Sequence, residues 1–247
     1  MNNAGDLTVI ATANQAATLG SPAEAMGRAY GIHSFGNVQN EGDISVISQS
    51  GTAETNEGSA DTTSIAYGIE TYGNVNNSGN ITVTSDVPDG STPAEAYGIY
   101  MGFGEGEGSS LTNTGSIRAF GDTAFELYVA SGFVAIVDTY NVTLDGNPST
   151  PSILVANGAT LSLNNATLLV TDVQGSDPGA TQWNTEYRLF GVDGEGMVQG
   201  NFFGADAVNP DLTAVYYNQG TANAADDTVA LSYAPEASEA LASMAAE

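Results

Sequence analysis

Apolar and polar residues alternate in short runs along most of this chain, and the runs recur at a fixed distance. In residues 43–48, DISVIS, and 80–85, NITVTS, apolar side chains fall at every second position. That is the period of a strand with one buried face. Leu7 and Val9 hold the same places earlier in the chain, and Ile117 with Ala119 later. A second strand is predicted over each Ala-Tyr-Gly-Ile, which puts Tyr30, Tyr67 and Tyr97 in register, with Ile32, Ile69 and Ile99 two residues on. No part of the repeats carries the 3,4 spacing of an amphipathic helix. The elements are strands.

The recurrence is explicit in the letters. Residues 29–48 read AYGIHSFGNVQNEGDISVIS and residues 66–85 read AYGIETYGNVNNSGNITVTS. AYGI returns at Ala96, and NTGSIRAF follows at Asn113. Anchored on the Asn of N-x-G-x-(I/L), the copies begin at 3, 40, 77 and 113, a period of 37, 37 and 36 residues. A fixed period of this size marks a stacked architecture in which each unit buries its apolar face against the next. The expectation is an all-β, right-handed parallel β-helix (a solenoid) with two rungs of about 18 residues in each repeat. Ile44, Ile81 and Ile117 are then one buried column. Asn40, Asn77 and Asn113 sit at a corner, where side-chain amides can bond the strand above and below. Strands keep their length while corners vary, as in residues 102–108, GFGEGEG, and in the segments expected as loops at 48–66 and 101–110. Such corners are where a stacked protein meets partners.

After about Gly121 the clean repeat fades, but short apolar runs between Gly, Asn and Pro continue at 133–137, 153–155, 159–163 and 166–170. These read as further strands. The division expected is 1–180 for the β-helix, 181–234 for a β-rich C-terminal cap and 235–247 for a linker or short helix. The cap region holds the chain's single tryptophan, Trp183, with Tyr187, Leu189, Phe190, Phe202 and Phe203. An exposed last strand is an open sheet edge that needs covering, and an aromatic-rich unit suits that task.

Charge removes several function classes. The chain has 3 Lys+Arg against 29 Asp+Glu in 247 residues, a formal charge of −26, and the basic residues are Arg28, Arg118 and Arg188. Nucleic acid is excluded as a partner, because binding it rests on neutralising phosphates. An anionic membrane surface is repelled for the same reason. Only 13% of residues are charged and 41% are hydrophobic, so the acidity does not spell disorder. With no cysteine, no disulfide or thiol chemistry arises. No apolar run approaches the roughly 18 residues of a spanning helix. The opening MNNAGDLTVI has neither a basic nor an apolar signal segment and already reads as repeat, so the chain is expected to begin inside a longer protein.

The AYGI…N-x-G-x-I-x-V-x-S repeats resemble the β-helical passenger domains of bacterial autotransporters (type V secretion). Residues 181–203, TQWNTEYRLFGVDGEGMVQGNFF, and 214–234 resemble the autochaperone-like region that closes such passengers before the outer-membrane barrel. In that family the pattern runs Tyr-x-Leu-Phe, a Gly turn, then Val-x-Gly-x-Phe. Tyr187, Leu189, Phe190, Val198, Gly200 and Phe202 match it position by position, and Trp183 joins them in the expected cap core. The resemblance implies a passenger fragment, displayed at the cell surface or secreted, acting as an adhesin or interaction scaffold. It also implies covalent continuation into an outer-membrane β-barrel. Partners expected are a host glycan or surface protein, with room for self-association. The rival reading is a β-helical carbohydrate-active enzyme or a phage tail-spike-like protein.

Catalytic chemistry finds little purchase. His33 is the only histidine and aligns with Glu70 and Tyr100, as at a variable position between strands. The G-x-S-x-G elbow is absent. Glu105 with Glu107, and Asp193 with Glu195, are the nearest carboxylate pairs for glycoside hydrolysis, but each lies in a Gly-rich turn. Neither the EF-hand nor the G-G-x-G-x-D calcium pattern occurs. No catalytic residue, cofactor or metal is therefore assigned. Asn-x-Ser/Thr triplets at Asn76, Asn80, Asn141 and Asn165 carry no weight if the source is bacterial, as the resemblance implies.

Overall fold

A computed structural model describes residues 1–13, 16–18, 23–55, 60–88, 92–102, 108–144, 147–163, 165–173, 185–217 and 227–233. Among them all regular structure is β, and most of it lies in parallel sheets. Each of the first copies sends one strand to each of three sheets. The strand holding AYGI joins a six-stranded sheet: Ala23–Ser34, Ala60–Thr71, Glu95–Met101, Thr123–Val129, Ile153–Val155 and Phe190–Val192. The strand ending on the repeat asparagine joins a nine-stranded sheet that begins Asn2–Asn3, Val38–Asn40, Val75–Asn77, Ser109–Asn113 and Val134–Leu144. Leu7–Thr12, Ile44–Gln49, Ile81–Asp86 and Ile117–Phe120 form a four-stranded sheet.

Register follows the repeat. Ile81 pairs with Ile44 and with Ile117, Tyr67 with Tyr30 and with Tyr97, and Asn77 with Asn40 and with Asn113. The asparagine bonds between neighbouring copies span 37 and 36 residues, so the stacking unit is the whole repeat. Two units of about 18 residues per repeat are therefore not formed. The reason is that each repeat carries three principal strands pointing to three different sheets, which uses all of its length.

Period-2 burial is plain in the strands themselves. Val38–Asn40 and Val75–Asn77 bury their first and third residues and expose the middle one, and Ile44–Gln49 buries every second side chain. Ile32, Ile69, Ile99, Val38, Val75, Leu111, Ile44, Ile81 and Ile117 fill one interior, each 2% exposed or less. Burying such a side chain stabilises by roughly 1.5–3 kcal/mol before entropy is counted. At the first-copy edge Leu7, Val9 and Ala11 are only partly buried.

The segment expected as a loop at 48–66 is largely strand. Residues 53–55 pair with Ala16–Thr18, and 60–66 belong to Ala60–Thr71, which pairs along its length with Ala23–Ser34. Ser64 sits inside and links the hydroxyls of Ser48 and Ser85 at 3.1 and 2.9 Å, so these polar positions satisfy one another in the interior. The loop at 101–110 contains 103–107, outside the described residues; Met101 ends one strand and Ser109 starts the next.

The period breaks where one strand does two jobs. Val134–Leu144 pairs at its start with Ser109–Asn113 and at its end with Thr167–Asp172, and it has no counterpart in the four-stranded sheet, which stops at Ile117–Phe120. Further on, Phe190–Val192, Met197–Gln199 and Ala205–Ala207 still add to the parallel sheets. The only antiparallel sheet among the described residues follows: Tyr187–Arg188 and Leu212–Tyr217 on either side of Thr228–Tyr233.

Candidate functional site

The repeat asparagines are an interior structural column. Asn3 Nδ2 donates to Asn40 Oδ1 at 2.7 Å, Asn40 Nδ2 to Asn77 Oδ1 at 2.6 Å and Asn77 Nδ2 to Asn113 Oδ1 at 2.7 Å. The second donor of each amide closes its own turn: Asn40 to Gly42 O at 2.8 Å, Asn77 to Gly79 O at 2.8 Å and Asn113 to Gly115 O at 3.0 Å. Asn40, Asn77 and Asn113 are fully buried with their donors occupied, so this column offers nothing to a ligand.

The tyrosines of AYGI form a stacked aromatic row, half-buried at Tyr30 and Tyr67 and buried at Tyr97. Tyr30 and Tyr67 lie 5.0 Å apart at 6°, Tyr67 and Tyr97 5.4 Å apart at 19°, and Phe125 extends the row at 6.5 Å. Tyr100 and Tyr128 form a second stack beside it, 4.9 Å apart at 11°. In-register strands impose this, since identical side chains in adjacent parallel strands stand one above another. Burial pushes the Tyr67 and Tyr97 phenols well above their usual range, with Glu70 and Glu95 adding to it, and pushes Tyr100 up to about 12. All stay neutral in ordinary conditions. Neighbours cover the ring faces, and the Tyr97 hydroxyl is taken up by Glu95 Oε2 at 3.0 Å.

His33 lies within the strand Ala23–Ser34, correcting its expected place between strands. Its Nδ1 is 2.5 Å from Glu70 Oε2; the histidine side chain is 40% exposed and the glutamate 4%. The pair aligns because His33 and Glu70 are cross-strand partners. Around it stand Tyr30 at 5.5 Å and Phe35 at 5.2 Å, and Phe35 in turn stacks on Tyr72 at 5.0 Å. Phe35 is 77% exposed, a large apolar side chain left in water.

Phe35 and Tyr72 stand two residues before Asn37 and Asn74, and the two asparagines line a groove of about 380 Å³ across the outer face of the nine-stranded sheet. Its floor is one register row, Asn2, Gln39, Asn76 and Thr112, paired strand to strand. All are outward partners of the buried Val38, Val75 and Leu111. Gln39 Nε2 is held by Glu41 Oε1 at 2.7 Å, and Asn37 Oδ1 and Asn74 Oδ1 accept from the backbone N–H of Asn74 and Ser110 at 3.0 and 2.8 Å. Among the described residues no side chain lining the groove is charged, and the ammonium of Met1, which also lines it, donates to the Asn37 carbonyl. The sequence reading passed over this row, although its signal was present: the residue before each repeat asparagine is polar and uncharged.

The remaining candidates stay apart. Asp193 and Glu195 flank Gly194, whose φ of 52° makes the turn, and both carboxylates are exposed. Glu105 and Glu107 lie outside the described residues, as does Trp183. No group of three or more His, Asp or Glu able to hold a metal occurs among the described residues. At the other end, Tyr187, Leu189, Phe190, Val198 and Phe202 are buried, Phe202 stacks on Phe190 at 6.2 Å and meets Tyr216 edge-on at 5.6 Å. Gly200 takes a φ of 78°, a conformation that favours glycine. One buried carboxylate stands out: Glu126 accepts from Thr143 N–H at 3.0 Å and from the Tyr140 hydroxyl at 3.3 Å.

No known protein family, curated protein or solved structure matches the chain.

Proposed function

We propose that the protein is the distal part of an autotransporter passenger, a right-handed parallel β-helix displayed at the bacterial cell surface or secreted, acting as an adhesin or interaction scaffold. The observation that carries the reading is the column from Asn3 to Asn113 together with the three parallel sheets in one register. A strand that visits each sheet once per repeat is what a β-helix needs. Right-handedness follows from the strong preference of parallel crossover connections. The antiparallel Tyr187–Arg188, Thr228–Tyr233 and Leu212–Tyr217 sheet supports a cap that closes the stack and helps it fold before an outer-membrane barrel. The function is geometric: a rigid, strongly acidic body carries an outward face of repeated side chains to a partner.

The test is fractionation of the native host with an antibody to this chain, before and after protease treatment of intact cells. Display predicts an outer-membrane species larger than 25.1 kDa that protease removes. A soluble intracellular product of that size rejects the reading. Polysaccharide turnover by the purified protein would move the case to the carbohydrate-active enzyme.

A further inference from the structure

We propose that the groove over Asn2, Gln39, Asn76 and Thr112 binds a neutral, extended glycan chain, laid across the strands with one sugar unit per strand. The inference rests on the displayed-scaffold reading and names the ligand class of its outer face. Sugar hydroxyls both donate and accept, and so do the amide and hydroxyl groups in this row. Adjacent strands stand about 4.8 Å apart, close to the length of one pyranose unit in an extended 1,4-linked chain. An amide, or at Thr112 a hydroxyl, is thus offered to each successive sugar without any change of register.

Charge selects the class further. Among the described residues the groove has no cationic side chain to hold a sulfate or uronate, and the body carries −26, which repels them. The carboxylate beside the groove, that of Glu41, is already engaged by Gln39 Nε2 at 2.7 Å. Phe35, 77% exposed and stacked on Tyr72, lies two residues before Asn37, which lines the groove, and offers a ring on which the C–H face of a sugar can rest. The volume of about 380 Å³ is in the range of small-ligand sites. A protein partner fits less well, because the row lacks the central apolar anchors that dominate protein interfaces.

The experiment is calorimetric titration of the purified chain with β-1,4-linked gluco- and manno-oligosaccharides from disaccharide to hexasaccharide, beside uronate and sulfated oligosaccharides of equal length. Affinity should rise with neutral chain length and level off near the tetrasaccharide, with the anionic series at least about tenfold weaker. Asn76→Ala and Phe35→Ala should each weaken binding about fivefold to tenfold, Asn76→Ser less, while Thr82→Ala on a different sheet leaves it unchanged. Thermal melting of each variant separates a lost contact from a lost fold. Absence of heat with every neutral oligosaccharide, preference for the anionic series, or equal binding by Asn76→Ala overturns the inference. So does a result in which the variants alter only oligomeric state on sizing. Failed binding by a chain that protease still shaves from cells rejects the glycan alone; binding by an intracellular chain rejects display alone.

Discussion

Gly68 and Ile81 meet across the interior: a Cβ on Gly68 would stand 2.4 Å from Ile81 Cγ2 and 2.5 Å from the Gly98 carbonyl oxygen. The same contact is built at Gly31 with Ile44 and at Gly98 with Ile117, at 2.6 and 2.1 Å. The glycine of AYGI and the isoleucine of N-x-G-x-I are therefore one packing unit, which is why the two motifs recur together. In the fourth copy Glu126 takes the glycine's place, between the pairs Tyr97–Phe125 and Ile99–Leu127. The four-stranded sheet has ended there, and the Tyr140 hydroxyl and the Thr143 N–H donate to the carboxylate instead.

Gly68→Ala should destabilise by about 1–3 kcal/mol through overpacking, and more if the backbone contact cannot relax. Ile81→Ala alone should cost about 2–5 kcal/mol. The double variant should cost clearly less than the two together, because the smaller residue makes the room that the new methyl needs. Urea unfolding of the four proteins checks this. Full additivity would mean that the two positions do not meet.

Asn77→Ala removes a fully buried amide and leaves Gly79 O and Asn113 Oδ1 without its donors. The loss should be about 1–3 kcal/mol for each buried group left unsatisfied. Asn3→Ala, at the half-buried end of the same column, should cost only about 1 kcal/mol. Denaturation midpoints of the two variants give the comparison, and equal losses would deny the column its interior role.

Alkaline pH should unfold the protein through its tyrosines. Burial raises the folded pKa of Tyr100 from 10.0 to about 12 and raises those of Tyr67, Tyr97 and Tyr128 as well. The folded state therefore holds protons that the unfolded chain has released. The stabilising contribution is complete below pH 10 and is lost as pH rises toward 12 and beyond. Stability measured across that window should fall, and Tyr67→Phe/Tyr97→Phe should flatten the fall. An unchanged slope in the double variant would place the titrating groups elsewhere.

Loss of the terminal aromatic cluster should reach the whole chain. Phe202→Ala removes the ring between Phe190 and Tyr216 and should cost about 3–5 kcal/mol. If this end nucleates stacking, replacing Tyr187, Phe190 and Phe202 together should slow refolding of the repeats as well as of the end itself. Stopped-flow refolding followed by tyrosine fluorescence reads it, and unaltered refolding would dismiss nucleation from this end.

Strands and stacking are legible in the sequence. Alternation in residues 43–48 and 80–85 marks strands because side chains of a strand point to opposite faces, and the period aligns Ile44, Ile81 and Ile117 by counting alone. The site was harder to read. Asn76 looks like any polar residue of a turn-rich repeat, yet it is outward because Val75 beside it is inward; Phe35 looks like a member of the core, yet it sits in the bend between two strands and is 77% exposed. His33 carries no local sign that Glu70, one copy away, is its partner.

Composition, period and alternation by themselves determine that this chain is β, built of repeats, acidic and free of thiol chemistry, since each of these is a property of letters and their spacing. Tertiary structure alone decided that the repeat makes one stacking unit with three sheets, that Gly68 must be glycine because Ile81 lies behind it, and that four polar residues from successive copies line one groove. The physical reason is distance: alternation is set between neighbours in the chain, whereas the partners of Gly68, His33 and Asn76 come from other strands and are fixed only when the sheets close on a common interior.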